Sequence, residues 1–525
     1  MVSSGCTDDK GLKRMGERAD TDRIETGTVV IGAGFSGLGM AIQFRMDGRS
    51  DFVVLEKAED LGGTWRGNTY PGSGCDIPSY VYSYSFEQNS DWTHAYPRQQ
   101  EILDYLKRVA DRYRLRDSIR FGVEMTAARW DADERRWHVT TSTGQVYVAR
   151  FLVTGIGSLH IPYIPKLRGL DRFTGAVFHS SRWNHDFDLK GKRVAVLGTG
   201  SSSVQFVPKI AETVDELHLF QRTPAWVLPK TEAPTPKWLR TALRWVPGLQ
   251  RAYRALLYWL LETRAIPFNW LPVLIKGGQS IATRHMHKSI SDPALRAKLT
   301  PNYKLGCKRV VMSDDFYPAL RRRNVELVTD WITEVGQDHV VDTAGVERKV
   351  DAIIFGTGFH VTDAFHRLDI TGRDGRDLAS EWRANGNETH LGITTAGYPN
   401  LFFLLGPNTT VGHNSTVFMI ESQIRYIAQA VRYTERTKAD AIEVTRSAQN
   451  RFQADLQRRL VRGVWSTGCD TWFLDDNGVN RALWPGFSWR YRLRTRKLDP
   501  ADFQFTPALT PDRRAPVPVA TSAAS

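Results

Sequence analysis

The chain has 525 residues, more than one hydrophobic core supports, so we expect two or three domains. Its composition, 41% hydrophobic and 24% charged, excludes a disordered or fibrous protein. The formal net charge of +13 would suit nucleic acid, a membrane surface or anionic ligands. The basic residues are spread along the chain, and no nucleic-acid-binding motif is recognisable, so we predict no nucleic-acid partner.

The termini and the cysteines indicate the setting in which the protein works. Residues 1–24 are polar and lack the apolar stretch of a signal peptide, and residues 506–525 are rich in Pro, Ala and Thr, so we expect two disordered ends. The four cysteines are far apart and form no C-x-x-C pair. We therefore expect no disulfide framework and no metal site, and we predict a reducing, cytoplasmic location.

Residues 28–37, TVVIGAGFSG, are predicted to form a strand, a glycine turn and the start of a helix. Gly32, Gly34 and Gly37 have the G-x-G-x-x-G spacing that lets a pyrophosphate approach the backbone at a helix N-terminus. The next apolar strand ends in Glu56, which lies 56 − 32 = 24 residues after the first glycine, where an acid binds a ribose 2′-hydroxyl. These features predict a dinucleotide site of the FAD type. The alternative is an ordinary glycine turn with Glu56 on the surface.

The next segments extend this first unit. Residues 61–76 are rich in glycine and proline and predict an ordered loop beside a flat ligand. Residues 98–113 have apolar positions at helical spacing, which predicts a core helix. Residues 151–155, FLVTG, predict a buried strand that rejoins the first sheet.

A second nucleotide-binding pattern starts at Arg193, RVAVLGTGSSSVQ. Gly198 and Gly200 repeat the first two glycines, and Ser203 replaces the third. Arg222 lies 222 − 198 = 24 residues after the first glycine, so an arginine takes the place that Glu56 has in the first unit. An arginine suits a 2′-phosphate, which predicts NADP(H), although a surface charge at a strand end is the alternative.

The remaining segments allow more than one interpretation. Residues 226–300 combine basic and apolar runs, none of transmembrane length, and predict a lid over an apolar substrate, a membrane-surface patch or an ordinary amphipathic insertion. Residues 350–359 predict a buried strand that closes one domain and crosses to the other, and residues 397–409 predict another buried strand. Residues 465–489 lack periodicity, as a lid often does. By chemistry alone, His179 and Trp183 are packing residues.

Two motifs give the chain a resemblance to a known family. Phe173, Gly175, His179 and Trp183 match the fingerprint F-x-G-x-x-x-H-x-x-x-W of the flavin-dependent Baeyer–Villiger monooxygenases, whose next residue is Pro or Asp; here it is Asn184. The motif G-G-x-W-x-x-x-x-Y-P-G-x-x-x-D is complete from Gly62 to Asp76. The chain resembles this family over residues 25–500, and Trp183 separates it from the related enzymes that oxygenate amines and sulfides.

The resemblance implies roles for individual residues. Arg309 resembles the family's active-site arginine, Asp76 the acid that pairs with it, and His179 a residue that couples domain movement. Lys308 and Arg222 resemble ligands of the 2′-phosphate, and Trp472 resembles a tryptophan of a mobile loop that closes on the nicotinamide. The turns and the resemblance together assign FAD to Gly32, Gly34, Ser36, Gly37, Glu56, Thr64, Trp65, Asp76 and Tyr82. They assign NADP to Gly198, Thr199, Gly200, Ser201, Ser202, Ser203, Gln205, Arg222, Thr223, Lys308 and Trp472.

The implied fold is α/β, with two discontinuous Rossmann-like domains and a helical insertion. We expect residues 25–157 and 385–505 to bind FAD, residues 158–225 and 321–384 to bind NADP, and residues 226–320 to form the insertion. The implied activity uses NADPH, FAD and O2 to convert a ketone, expected to be lipophilic, into an ester or lactone through a flavin C4a-peroxide. The alternatives are oxygenation of nitrogen or sulfur, and an NADPH oxidase, reductase or redox sensor that oxygenates nothing.

Overall fold

The computed structural model describes residues 23–509. The predicted N-terminal arm and C-terminal tail therefore lie almost entirely outside the described residues. The arm does not extend to residue 24, because the first strand already begins at Arg23. Likewise, the last strand includes Thr506 and Pro507, which the sequence assigned to the tail.

Twenty strands and fourteen α-helices make up the described chain. The strands are β1 (Arg23–Ile31), β2 (Phe52–Glu56), β3 (Ile119–Phe121), β4 (Met125–Asp131), β5 (Arg136–Thr141), β6 (Val146–Thr154), β7 (Ala176–His179), β8 (Arg193–Leu197), β9 (Glu216–Phe220), β10 (Val227–Leu228), β11 (Val311–Met312), β12 (Val325–Val328), β13 (Ile332–Val335), β14 (His339–Asp342), β15 (Glu347–Lys349), β16 (Ala352–Phe355), β17 (Asp369–Thr371), β18 (Leu401–Phe403), β19 (Ala439–Val444) and β20 (Phe503–Pro507). The helices are α1 (Phe35–Met46), α2 (Thr64–Gly67), α3 (Gln99–Arg112), α4 (Ser201–Ile210), α5 (Lys237–Trp245), α6 (Leu249–Glu262), α7 (Ala265–Asn269), α8 (Ile275–Ser289), α9 (Pro293–Leu299), α10 (Phe316–Ala319), α11 (Leu378–Asn385), α12 (Thr416–Arg436), α13 (Arg446–Leu460) and α14 (Ser488–Arg494).

The larger sheet has eight strands and contains the first glycine turn. Its order is β17-β4-β5-β6-β1-β2-β3, and β18 also pairs with β6. β1 runs parallel to both β2 and β6, and Val30, fully buried, lies opposite Val54 and Val153. The predicted buried strands at 151–155 and 397–409 are thus confirmed as parts of β6 and β18 of one sheet.

The second sheet has five parallel strands and contains the second glycine turn. Its order is β12-β9-β8-β16-β7. β16 is fully buried and lies between β7 and β8. The chain then leaves for the larger sheet, as predicted, but it arrives earlier than expected. β17 pairs with β4, so Asp369–Thr371 belong to the larger sheet, although the sequence assigned residues up to 384 to the NADP domain.

The helical insertion leaves the second domain and returns to it at one place. β10 and β11 form a parallel pair, with Val227 opposite Val311, and α5 to α9 lie between these two strands. The predicted helical character of residues 226–320 is confirmed. Within residues 23–509, no helix has the length and apolar character that crossing a bilayer requires.

Candidate active site

The first glycine turn joins β1 to α1 with a backbone that side chains would obstruct. Gly32 has a φ of 93°, and a Cβ there would lie 2.8 Å from the carbonyl oxygen of Gly155. A Cβ on Gly37 would lie 1.7 Å from the carbonyl oxygen of Gly32, so α1 packs directly on the turn. α1 starts after Gly34, which has no side chain to cap the helix. The first N–H groups of α1 are therefore available to a phosphate.

Glu56 lies at the turn and not on the surface. Its side chain, at the end of β2, accepts hydrogen bonds from Ala33 N at 2.6 Å and from Ala58 N at 2.9 Å. The residue is only 7% exposed. A carboxylate fixed beside the glycine turn fits the recognition of a ribose hydroxyl, as the sequence predicts.

The loop of the second motif packs directly on this turn. The Cα of Gly63 lies 3.6 Å from the position of a Cβ on Gly34, so two backbones meet with no side chain between them. Trp65 follows in α2, donates from Nε1 to the Tyr82 hydroxyl at 3.2 Å and packs edge-on against its ring. Tyr82 also packs edge-on against Phe35. This arrangement of small backbones and aromatic walls fits a flat ring system.

The other residues assigned to FAD lie in the same place. Ser36 is buried in the first turn of α1, and Thr64 starts α2. The start of α12, at Thr416, is close enough to hydrogen-bond Tyr82. The side chain of Ser415 caps α12 by accepting from Val417 N. As predicted, the N-terminus of this helix therefore reaches the aromatic wall of the first nucleotide site.

The second glycine turn repeats the geometry of the first. Gly198 has a φ of 101°, and a Cβ there would lie 2.7 Å from the carbonyl oxygen of Gly356. α4 starts after Gly200, which also has no side chain to cap it. Ser203 is fully buried, and a Cβ on Gly356 would lie 1.9 Å from its hydroxyl oxygen. The third position of the second turn thus holds a serine, whose hydroxyl lies in the space beside Gly356, the glycine that follows β16.

Four predicted NADP residues surround this turn. Ser201 opens α4, and Thr199 donates from its hydroxyl to the carbonyl oxygen of Thr223 at 3.2 Å. Ser202 hydrogen-bonds Tyr70, a residue of the first unit's loop.

Gln205, predicted to bind NADP, has another role in this structure. Its Oε1 accepts hydrogen bonds from the Tyr70 hydroxyl at 3.0 Å and from Gly74 N at 3.2 Å. Its Nε2 donates to the carbonyl oxygen of Gly74 at 3.0 Å. The side chain thus ties α4 to the loop of the first unit and holds the two nucleotide sites together.

Two predicted phosphate ligands, Arg222 and Lys308, converge on one acid. The guanidinium of Arg222 lies 3.7 Å from Asp470, and both side chains are exposed. Burial lowers the pKa of Lys308, Asp470 raises it, and Arg222 lowers it, so the charges of Asp470 and Arg222 both act on Lys308. The ammonium of Lys308 also lies over the ring of Tyr303 at 5.3 Å. This pair of cations next to the second turn suits a 2′-phosphate. In this structure the guanidinium of Arg222 lies beside the carboxylate of Asp470.

The two predicted catalytic residues share one electrostatic environment without forming an ion pair. Burial raises the pKa of Asp76, and Lys230 and Arg309 oppose this shift. The carboxylate of Asp76 lies 3.7 Å from the ammonium of Lys230, and the two side chains are 11% and 10% exposed. Arg309 makes no hydrogen bond or ion pair within residues 23–509, so the direct pair expected between Asp76 and Arg309 is not present. The guanidinium is thus available to a ligand.

Sequence reasoning missed Lys230 completely. It follows β10, its ammonium lies 3.8 Å from Glu232, and it stands over the ring of Tyr96 at 5.5 Å. Lys230 and Asp76 are 230 − 76 = 154 residues apart. A lysine at the end of a short apolar run has no local pattern that would indicate burial beside a distant acid.

The cysteines also differ from the prediction. Cys307 and Cys469 form a disulfide, with Cα atoms 6.2 Å apart and a sequence separation of 162 residues. The expectation of no disulfide is therefore wrong, because the fold brings together cysteines that no short spacing connects. The bond joins the segment of Lys308 and Arg309 to residues 463–487, here called the capping loop.

The capping loop, in which the sequence predicts a lid, lies next to a predicted ligand of the 2′-phosphate. It contains Asp470, which meets Arg222, and Trp472, which is half-buried and packs against Phe473 with ring centroids 4.4 Å apart. The loop has a single short helical turn, Val464–Ser466, before α14 begins.

The fingerprint residues lie where the chain crosses between domains. Ser181 N donates to Nδ1 of His179 at 3.1 Å, so Nε2 donates to the carbonyl oxygen of Gly358 at 3.0 Å. Burial lowers the pKa of His179 to about 4, which keeps the ring neutral. Gly358 lies between β16 and the larger sheet, and it accepts from Tyr163 N. His179 thus links β7 to the crossing between the two sheets, and its role in coupling domain movement stays a prediction.

The rest of the fingerprint packs or turns the chain. Trp183 lies between Phe178 and Phe206, with ring centroids 5.2 Å away from each. A Cβ on Gly175 would lie 2.4 Å from the carbonyl oxygen of Asp351. Phe173 packs on the core of the second domain. Asn184, where the sequence departs from the family, is exposed and caps a turn through Asp186 N, away from the site.

Comparison with known proteins gives one consistent result. The flavin-binding monooxygenase-like family matches residues 26–371. A Baeyer-Villiger monooxygenase of Pseudomonas aeruginosa is 48% identical over 479 residues, which cover 91% of each chain. The crystal structure of cyclohexanone monooxygenase from Rhodococcus sp. Phi1 bound to NADP+ has a TM-score of 0.84 at 29% identity, and the match covers 93% of this chain and 100% of the other. A structure of OTEMO in complex with FAD and NADP has a TM-score of 0.83 at 29% identity, covering 92% and 99%.

Proposed function

Since the chain belongs to the flavin-binding monooxygenase-like family and to its Baeyer–Villiger members, we propose that its oxygenating site lies between the two glycine turns, at Arg309 and Asp76. The protein is an NADPH- and O2-dependent flavoprotein monooxygenase that inserts one oxygen atom beside a ketone carbonyl, giving an ester or lactone. The single observation that supports the site best is the guanidinium of Arg309. It lacks a protein partner within residues 23–509 and acts electrostatically on the buried Asp76.

The residues present fit both nucleotides. Both turns keep open the space that a Cβ at Gly32 or Gly198 would fill, and both helices start without a side-chain cap. We propose that the first turn with Glu56 holds FAD, and that the second turn with Arg222 and Lys308 holds NADPH. When bound, FAD supplies the redox chemistry: its ring accepts a hydride from NADPH and then reacts with O2.

We assign charge stabilisation to Arg309. Attack of an oxygen nucleophile on a ketone carbonyl places negative charge on the former carbonyl oxygen. A fixed guanidinium stabilises that charge more in a site without water than in solvent. We assign Asp76 an electrostatic effect on the guanidinium, and Lys230 favours the anionic form of Asp76 against the effect of burial. The capping loop excludes water when Asp470 and Trp472 are in place.

The substrate we propose is a lipophilic ketone. Phe268 of α7 packs directly on Gly306, where a Cβ would lie 2.6 Å from the phenyl ring. Gly306 precedes Arg309 by three residues, so an apolar side chain of α7 lies near the segment of that arginine. Leu305 and Tyr303 belong to the same apolar cluster. Apolar walls beside the guanidinium of Arg309 fit a bulky apolar molecule with one polar atom.

We also propose a cytoplasmic location, because the enzyme consumes NADPH, which cells regenerate there. In that reducing compartment disulfides are usually transient, so we expect the Cys307–Cys469 bond to open and close with the supply of thiols.

The test of this function replaces Arg309. We expect Arg309→Met to lower the rate of ester formation from a bulky ketone about 10²- to 10³-fold, because a donor to the developing charge is lost. Oxidation of a sulfide needs no such stabilisation and should fall much less. Arg321→Met, which removes an exposed arginine elsewhere, is the matched control and should change neither rate.

Two outcomes would replace the proposal. Equal losses of ketone and sulfide oxidation, with flavin still bound, would show that Arg309 supports the fold or NADPH binding. Sulfide or amine oxidation by the unaltered enzyme without any ester would favour the N- or S-oxygenating alternative.

A further inference from the structure

The helical insertion exposes an unusual amount of apolar surface. Among residues 23–509, twenty large apolar side chains are exposed, and eleven of them lie between residues 238 and 281. They include four tryptophans: Trp238, Trp245, Trp259 and Trp270 are 71%, 75%, 56% and 45% exposed. The elements that carry these side chains, α5 to α8 and the turn before α8, pack on one another in chain order, so they form one surface. We call this surface the insertion face.

α6 shows that the exposure is built into the packing. A surface helix normally has its apolar side against the core and its charged side in solvent. α6 has apolar side chains on both sides, since Tyr253 and Leu257 pack against the core. Arg254 donates to Ser83 at 3.1 Å, and Glu262 accepts from Asn414 and Ser488, so both point inward. Leu256 and Trp259, on the opposite side, face solvent.

The charge of the insertion face has one sign. Between residues 237 and 288, seven lysine and arginine side chains are exposed, among them Lys237, Arg251 and Lys276. The only acid in that stretch is Glu262, which is 1% exposed and fully bonded inside. One of the exposed cations, Arg244, pairs with Asp91. The face therefore combines exposed tryptophans with an excess of unpaired positive charge.

We propose that the insertion face binds the surface of an anionic lipid bilayer. Tryptophan prefers the region between lipid headgroups and acyl chains, and cations beside it attract anionic headgroups. A second copy of this chain fits less well, because a symmetric contact would bring the same cations together without an acid to face them. Binding at the surface also agrees with the lack of a spanning helix in residues 23–509.

The insertion face is joined to the proposed oxygenating site. Trp270 packs on Phe487 at the end of the capping loop, with ring centroids 4.8 Å apart, and Phe268 packs against Gly306. These contacts would let a lipophilic ketone pass from the bilayer to the site, and this step rests on the proposed function. The binding itself requires no activity, so it is tested separately.

Flotation of the FAD-loaded enzyme with lipid vesicles tests the proposal. We expect binding to vesicles of phosphatidylcholine with one quarter phosphatidylglycerol, weak binding to pure phosphatidylcholine, and loss of binding at high salt. Arg251→Glu with Lys276→Glu should weaken binding about 30-fold or more, since each cation near the surface contributes about 1 kcal/mol. Trp245→Gln with Trp259→Gln should weaken it about tenfold or more by removing apolar burial.

The matched control changes exposed residues of the same kinds elsewhere. Val461→Gln with Arg458→Glu alters an exposed apolar residue and an exposed arginine outside the insertion, and it should bind vesicles like the unaltered enzyme. Flavin content and ketone oxidation in detergent-free buffer should be unchanged in all these variants. Brominated lipids should quench the tryptophan fluorescence of the unaltered enzyme, which tests contact without any substitution.

The proposal is overturned by any of three results. Anionic vesicles that neither bind nor quench the unaltered enzyme would exclude a lipid partner. Equal effects of the insertion and control variants would show that the binding is nonspecific. A dimer in analytical ultracentrifugation that the tryptophan substitutions dissociate, without vesicle binding, would assign the face to a second copy. If binding holds but ketone oxidation is absent, the proposed function fails and this inference stands.

Discussion

The two glycine turns perform the same task with different chemistry. In each, the first glycine lies under a carbonyl from a neighbouring strand end, with Cβ distances of 2.8 Å at Gly32 and 2.7 Å at Gly198. They differ at the third position, where Gly37 allows no side chain and Ser203 is accommodated by Gly356. Both turns thus keep the first two glycines, and in each a glycine follows the neighbouring strand, Gly155 after β6 and Gly356 after β16.

The charged residues differ more than the turns. Glu56 is buried and held by two backbone N–H groups, whereas Arg222 is 70% exposed and lies 3.7 Å from Asp470 of the capping loop. A buried, fixed acid suits a cofactor that stays bound. An exposed arginine under a loop suits a nucleotide that binds, reacts and leaves. The surroundings of the two turns thus predict different residence times for the two nucleotides.

The largest expected effect comes from the third position of the turns. Gly37→Ala places a Cβ 1.7 Å from the carbonyl oxygen of Gly32, so α1 must move and we expect the protein to be purified without flavin. Ser203→Gly, the matched change in the second turn, should keep flavin and NADPH binding. Flavin absorbance of the purified variants measures this. Retention of FAD by Gly37→Ala would show that the close contact is not needed.

The next effect concerns Arg222, the predicted ligand of the 2′-phosphate. Arg222→Ala should raise KM for NADPH about 10- to 100-fold, since hydrogen bonds to charged groups contribute about 1.5–3 kcal/mol. KM for NADH, which lacks the 2′-phosphate, should not change, and Arg321→Ala serves as the control. A parallel rise for both nucleotides would mean that Arg222 supports the fold and does not read the phosphate.

A smaller effect concerns the acid between the two turns. Lys230 opposes the raised pKa of Asp76, so Lys230→Gln should raise that pKa further. If Asp76 acts as an anion, the acidic limb of kcat/KM for the ketone should move to higher pH. Glu232 raises the pKa of Asp76, so Glu232→Gln should move the same limb to lower pH. Shifts in one direction for both variants would exclude Asp76 as the titrating group.

The smallest effect is expected from the disulfide. Cys469→Ser frees the capping loop from the segment of Arg309, and we expect NADP+ to leave a few times faster, about tenfold at most, with FAD unaffected. A dithiol reductant should bring the unaltered enzyme to the same rate and leave the variant unchanged. A reductant effect of equal size in both would assign the sensitivity to another group.

Local sequence patterns predicted the parts of the fold that depend on neighbouring residues. Glycine spacing located both turns, and the matched offsets of 24 residues located Glu56 and Arg222 at the strand ends where they lie. Apolar periodicity located the buried strands and α3. Each of these signals is a property of a few consecutive residues.

The features that escaped prediction are contacts between distant segments. Sequence separations of 154 residues, from Asp76 to Lys230, and of 162 residues, between the cysteines, leave no periodic pattern. The return of β17 to the larger sheet also depends on pairing with β4, whose partner residues lie 242 positions earlier, and three residues carry too little pattern to show it. The roles of the site residues stay predictions until the substitutions above are made.

The most direct test of the central claim counts products against NADPH. The enzyme would be reduced by NADPH without oxygen, then mixed with O2 and a bulky ketone while flavin reoxidation, ester and hydrogen peroxide are measured. We predict one ester for each NADPH consumed, little hydrogen peroxide, and a reoxidation rate that rises with ketone. Complete conversion of O2 to hydrogen peroxide, whichever ketone, sulfide or amine is offered, would contradict the account and describe an NADPH oxidase.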